Sequence, residues 1–226
     1  MSRKPRSAPP AVTAVSSAPP PAAGIRIRPA DAVGMLAVTI HYLEMTAPPL
    51  RPAVSRPCLG PMPELTLIRL AGPGAGALYR ELFFTVGAPW LWSERTLWNE
   101  TALNQWLADA RVAVWLLRVG ETIAGFGELS HIVPAVVELS YFGLRPEWIG
   151  HGLGPWFLDQ VIRRAWEHPA CWRLGVYTSS FDHPRALPLY QAAGFRPLHI
   201  LSRKIPDPRQ RGILPLNAAP HVPPGS

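Results

Sequence analysis

The sequence predicts an α/β (α+β) domain with a mixed central sheet, in the element order βααβββαβαβ, plus an extra N-terminal strand. Three observations carry this. Apolar residues recur at strand spacing in seven segments and at helical spacing in four. Three consecutive strand-like runs are joined by short turns, which makes an antiparallel meander. A strongly amphipathic helix follows that meander through a glycine-rich connection, and the remaining elements alternate strand and helix.

Taken in order, Leu36 to Leu43 is rich in β-formers and reads as the extra strand. It is expected to add to the sheet edge or to cover it. Leu65 to Leu70 is a short strand, broken by Gly72, Pro73 and Gly74. Ala75 to Val86 is a helix, with Leu78, Leu82 and Val86 four apart. Asn99 caps a second helix that runs through Leu103, Trp106 and Leu107. Val112 to Val119, Thr122 to His131 and Val136 to Leu144 form the meander, turning at Gly120-Glu121 and Val133-Pro134-Ala135. Pro155 to Glu167 has Leu158, Val161, Ile162 and Ala165 on one face and Asp159, Gln160, Arg163 and Arg164 on the other. Trp172 to Thr178 is a strand, and Asp182 caps a helix that Gly194 stops. Arg196 to Ile205 is the last strand.

Charge and proline divide the chain. Its 226 residues carry a formal net charge of +7. Residues 1–34 contribute +4 and residues 203–226 contribute +3, so the body between them is neutral. Seven of the 28 prolines lie in 1–34, six in 46–63 and six in 205–226. Proline lacks an amide donor and fixes φ, so such clusters build neither helix interiors nor central strands. The expected organisation is a disordered basic tail at 1–34, the extra strand at 35–45, a proline-rich linker at 46–63, one domain at 64–206 and a disordered tail at 207–226.

Several classes are excluded. No run of about 18 apolar residues exists to span a membrane. The N-terminus lacks the apolar core of a secretory signal. Two cysteines, Cys58 and Cys171, provide neither a disulfide framework nor a CxxC metal site, and a cytoplasmic location is expected. A basic net charge confined to the ends argues against a nucleic-acid-binding face on the body.

Between the third meander strand and the amphipathic helix stand Ile149, Gly150, His151, Gly152, Leu153 and Gly154. Glycines let successive backbone amides converge on an anion, and the helix adds its positive end. The Walker and Rossmann patterns both fail here. The alternative is a tight connection with no ligand. The segment from Leu144 to Gly154 resembles the coenzyme A-binding stretch of the GCN5-related N-acetyltransferase superfamily, (Gln/Arg)-x-x-G-x-(Gly/Ala). Downstream, Asp182, Ala186, Tyr190, Gly194 and Phe195 are similar to that family's N-x-x-A-x-x-x-Y-x-x-x-G-F. The resemblance spans roughly residues 64–204, with Ile149 and Asp182 departing from the usual Gln or Arg and Asn.

The resemblance implies acetyl transfer from acetyl-CoA, as cosubstrate, to a small-molecule or peptide amine. It implies donor contacts at Phe142, Gly143, Leu144, residues 149–154, Asp182 and Tyr190, and no metal. Gly143 is expected to leave room for the ligand. Tyr190 matches the family's proton donor. Glu138 stands at the separation from Ile149 that the histone-acetyltransferase branch shows between its motif Gln and its base, with Glu128 as runner-up. Trp90, Trp92, Arg95 and Tyr141 are the acceptor-side candidates, and Arg95 is a candidate partner for an acceptor carboxylate. Each has a structural alternative: core tryptophans, a solvent-facing strand glutamate, a packed tyrosine, an aspartate that only caps. A catalytically idle acyl-CoA sensor on the same fold is the competing function. A homodimer and an unidentified acceptor are left open.

Overall fold

A computed structural model of the chain describes residues 27–57, 64–131, 135–169 and 171–226. Residues 1–26 of the expected 1–34 tail, the linker residues 58–63 with Cys58, and the Val133-Pro134 part of one turn lie outside those residues.

The elements are β1 (Met35–Met45), β2 (Leu65–Arg69), α1 (Ala75–Gly87), α2 (Glu100–Ala108), β3 (Val112–Val119), β4 (Thr122–Ser130), β5 (Val136–Leu144), α3 (Leu153–Trp166), β6 (Arg173–Ser179), α4 (Ala186–Ala193) and β7 (Arg196–Pro206). This is the expected α/β order. The strands form one sheet, β2-β3-β4-β5-β6-β1-β7. Among the described residues only β5 and β6 pair in parallel. Alternate residues of β3 divide the interior in two. Val114 and Leu116 join Tyr79, Leu82, Phe83 and Val86 of α1. Leu117 and Val119 join Leu153, Phe157, Leu158 and Val161 of α3.

The extra strand is neither at the edge nor over it. β1 lies between β6 and β7 and is antiparallel to both. Its side chains explain the interior position. Leu36, Val38 and Ile40 are buried in one cluster, and after a register shift at Tyr42 and Leu43, Leu43 and Met45 are buried in the α3 cluster. Between them Ala37 is exposed and Thr39 and His41 are half-buried, so the strand alternates in and out while both of its edges are paired.

Residues 207–226 are packed rather than forming the expected disordered tail. Ile213, Leu214, Ala219 and Val222 are buried, most of them against Leu36, Val38 and Ile40 of β1 and Ala88 and Leu91 beyond α1. Arg209 holds the segment together. Its guanidinium donates to both oxygens of buried Asp207, at 3.0 and 2.9 Å, and to the carbonyls of Ala218, Ala219, Val222 and Pro223. Asp207 also accepts the Gly225 amide at 3.0 Å. Proline forbids regular structure here but not packing, and the arginine satisfies the carbonyls that no helix or sheet could.

Two helix starts also differ. α3 begins at Leu153, so Pro155 sits inside the first turn, where its missing donor costs nothing. α4 begins at Ala186, three residues beyond the expected first helical position, and has no side-chain cap.

Candidate active site

The site starts from a gap in the sheet. β5 pairs with β6 only from Val136 to Leu139, opposite Arg173 to Val176. Beyond that, β5 stays on β4 as far as Leu144, and β6 stays on β1 as far as Ser179. The inner edges at Tyr141–Leu144 and Tyr177–Ser179 therefore diverge. A bulge at Ser140, where the β4 register shifts, re-aims the side chains at the mouth of the gap. Tyr141 then turns toward α1, and Phe142 turns toward α3, 5.0 Å from the Phe157 ring.

The glycine loop lies at the outer end of β5. Gly150 and Gly152 have φ of 91° and 75°, a region closed to most side chains. A Cβ on Gly150 would meet nothing within 4 Å, so its requirement is conformational. Gly152 precedes α3, whose first-turn amides have no helical carbonyl to bind. Leu153 is fully buried and offers only its backbone, whereas Ile149 and His151 are exposed. Gly154 faces Leu189 of α4 at an ordinary contact distance of 3.8 Å, where a methyl group fits. Gly143 differs from expectation. A Cβ there would come within 2.5 Å of Val86 Cγ1, so α1 packing is what demands glycine at this position.

On the α4 side, Tyr190 is buried near Phe142 and Phe195, with ring centroids 6.5 and 5.9 Å away. Burial pushes its phenol pKa well up, and the Asp182 carboxylate adds to the shift. The phenol stays protonated at neutral pH, as a proton donor must. Asp182 does not cap α4. Its carboxylate accepts the Ser179 amide at 2.6 Å, the Thr178 hydroxyl at 2.9 Å and the Trp92 indole at 3.2 Å. It ties the turn after β6 to the loop after α1.

On the α1 side, the two candidate bases are in different surroundings. Glu128 is fully buried and accepts from the Tyr79 hydroxyl, from Arg95 Nη2 at 3.0 Å and from Trp106 Nε1 at 3.2 Å. Arg95 stands over Trp98 at 4.0 Å, Trp106 at 4.4 Å and Tyr141 at 5.4 Å. This is a closed ion pair in an aromatic box, so Arg95 is committed to Glu128 rather than to an acceptor carboxylate. Glu138 is half-buried, and its contact is the Ser140 hydroxyl at 3.3 Å, itself 2.9 Å from Ser130 Oγ. Burial raises its carboxyl above the usual range, more than Ser140 and Arg95 lower it, and Glu128 adds to the rise. That is the environment of a base.

Trp92 packs on Gly87 and lies 5.1 Å from Tyr141, within this group. Trp90 lies apart, between His183 and His221 of the C-terminal segment, 5.3 Å from each ring. Two groups were not anticipated. Tyr79 completes the Glu128 box, and its spacing from Leu82, Phe83 and Val86 on the buried face of α1 was the available signal. Tyr177 is 38% exposed on the inner edge of β6.

A family model described as the acetyltransferase (GNAT) family matches residues 77–195, more than half of the chain. The chain belongs to that family. Two solved structures share its fold. One is a GCN5-related N-acetyltransferase from Sphaerobacter thermophilus, 16% identical, TM-score 0.54, covering 76% of this chain and 51% of that one. The other is a GCN5-related N-acetyltransferase from Kribbella flavida, 15% identical, TM-score 0.50, covering 77% and 60%. The chain thus spans between half and three fifths of their lengths. No curated protein sequence matches it. Among the described residues, no helix is long and apolar enough to cross a membrane.

Proposed function

We propose that the chain is an acetyl-CoA-dependent N-acetyltransferase that passes an acetyl group to a primary amine by direct attack on the thioester. The observation that carries this is the gap between β5 and β6 opening beside the glycine loop. It offers unpaired strand backbone to an amide-bearing pantetheine arm and converging amides to phosphates. The open space at Gly150 supports a close backbone approach there.

In this reading the backbone at Phe142–Leu144 holds the arm and polarises the thioester carbonyl. Residues 149–154 bind the pyrophosphate. Glu138 takes a proton from the acceptor ammonium, directly or through one water. The amine nitrogen attacks the carbonyl carbon, and the C–S bond breaks as the tetrahedral intermediate collapses. Tyr190 gives its proton to the departing thiolate, and the second proton of the attacking nitrogen, released as the amide forms, restores the phenol through solvent. Asp182 positions this end of the gap by fixing its turn and does not touch the donor. Tyr141, Trp92 and Tyr177 line the acceptor side. Glu128 and Arg95 set the electrostatics behind them. A cytoplasmic enzyme fits the two-cysteine sequence.

The test is thiol release from acetyl-CoA against a panel of small amines, amino acids and peptides. Amine-dependent release with a matching acetylated product supports the enzyme. Coenzyme A binding without turnover on any amine overturns the catalytic reading in favour of an acyl-CoA sensor.

A further inference from the structure

Asp159 is at a position where the helical pattern calls for solvent, yet its side chain is fully buried. What covers it is the linker. Arg51 Nη1 lies 2.7 Å from Asp159 Oδ1, and the Val54 amide donates to Oδ2 at 3.1 Å. Arg163, one turn along α3, donates from Nε to the same oxygen at 2.9 Å and from Nη2 to the Arg51 carbonyl at 3.2 Å. A buried carboxylate is costly unless it is paired and hydrogen-bonded, and here much of that pairing comes from a segment about a hundred residues away.

From this latch the linker runs over the beginning of α3. The Arg56 guanidinium is 6.0 Å from the centre of the Trp156 ring, in the first helical turns. The Pro57 Cβ is 3.9 Å from where a Cβ on Gly152 would stand. Arg56 is exposed. A guanidinium carries five donors, and the Leu65 carbonyl takes one of them. The loop itself lacks such a group. Between Leu144 and Asp159 the only Lys or Arg is Arg145, which is held 2.7 Å from Glu81.

We propose that residues 51–57 are a strap, latched to α3 by Asp159, that brings Arg56 to the glycine loop as a side-chain cation for the donor's phosphates. This rests on the acetyl-CoA reading above. The strap supplies from the N-terminal side of the domain the charge that the loop does not carry. Asp159 acts through Arg56 and is a positioning residue.

The experiment measures binding of coenzyme A, and of the phosphate-free donor acetylpantetheine, to the wild type, Arg56→Ala and Arg51→Ala by calorimetry. Hydrogen exchange of residues 51–57 is followed in parallel. Arg56→Ala, an exposed substitution, is expected to weaken coenzyme A roughly 10- to 100-fold and to leave acetylpantetheine unchanged. Arg51→Ala is expected to speed exchange across 51–57 and to weaken coenzyme A by a smaller factor. Wild-type binding that Arg56→Ala leaves intact overturns the strap while sparing the donor reading. Equal losses for both ligands also overturn it, because the contact would then not be to phosphate. If the wild type does not bind coenzyme A, the donor reading fails and takes the role of Arg56 with it.

Discussion

Replacing Glu138 by Gln moves activity and stability in opposite directions. Burial holds this carboxyl above the ordinary range, with Glu128 adding to the rise and Ser140 and Arg95 opposing it. The folded pKa therefore exceeds the unfolded value of roughly 4.3. The stability this group contributes is full below the unfolded pKa and is lost as pH rises through the folded one. Above the folded pKa the ionised carboxylate is a net cost to the fold. Glutamine has the same shape, keeps an acceptor for the Ser140 hydroxyl and carries no charge. The variant is expected to melt higher than the wild type at pH 8, with the difference closing as pH falls toward 4. Its activity should fall by about 10²–10⁴ in kcat/KM, the usual contribution of a positioned base, which is about 2.7–5.4 kcal/mol of barrier. The acid limb of the pH–kcat/KM profile, set above the normal carboxylate range, should disappear with it. Thiol release with the best amine of the panel gives the kinetics, and thermal melts from pH 4 to 8 give the stability. A loss below tenfold with the acid limb intact refutes the base. A lower melting temperature at pH 8 refutes the electrostatic reasoning, because it would mean that the fold satisfies the charge.

Glu128→Gln should behave in the opposite way on stability, destabilising the protein by about 3–5 kcal/mol in urea unfolding, because it leaves Arg95 charged and unpaired in its aromatic box. Arg209→Met abandons buried Asp207 and four carbonyls; a loss of about 3–5 kcal/mol is expected, or roughly 6–20 °C in Tm for a domain of this size. Tyr190→Phe keeps the packing and removes the proton, so kcat should fall at least about tenfold with little change in Tm; an unchanged kcat excludes Tyr190 as the donor. Gly143→Ala drives a methyl into Val86 and should cost about 1–3 kcal/mol, and Val86→Ala in the same chain should recover part of the loss.

Most of the fold was legible because local signals agreed with the tertiary result. The meander, the Asn99 cap, which accepts the Ala102 amide at 2.8 Å, and the Gly194 stop at φ 108° are decided by neighbours in sequence. The errors share one cause. The place of β1 depends on partners in β6 and β7, more than a hundred residues away, and composition says nothing about which strands it joins. The prolines of the C-terminal segment point to disorder, but its order comes from Arg209 binding carbonyls up to 14 residues on. The position of Asp182 before the helix predicts a helix cap. Asp182 caps a turn instead, and its third contact, Trp92, lies 90 residues earlier.

The same limit governs the choice between the two glutamates. Glu128 and Glu138 stand on adjacent strands, and spacing makes both plausible bases. What separates them is Arg95, 33 residues before Glu128, together with the tyrosine and indole that complete its shell. Glu128 accepts three donors and faces a guanidinium, so its oxygens are occupied. Glu138 has a hydroxyl contact and a like charge nearby, and burial holds its carboxyl above the usual range. The assignment therefore depends less on which glutamate is nearer the gap than on which was left without a cation when the domain folded. The box around Glu128 also favours Glu138: Tyr79, Arg95 and Trp106 occupy the oxygens of one acid, while the hydrogen bond of the other is to the Ser140 hydroxyl.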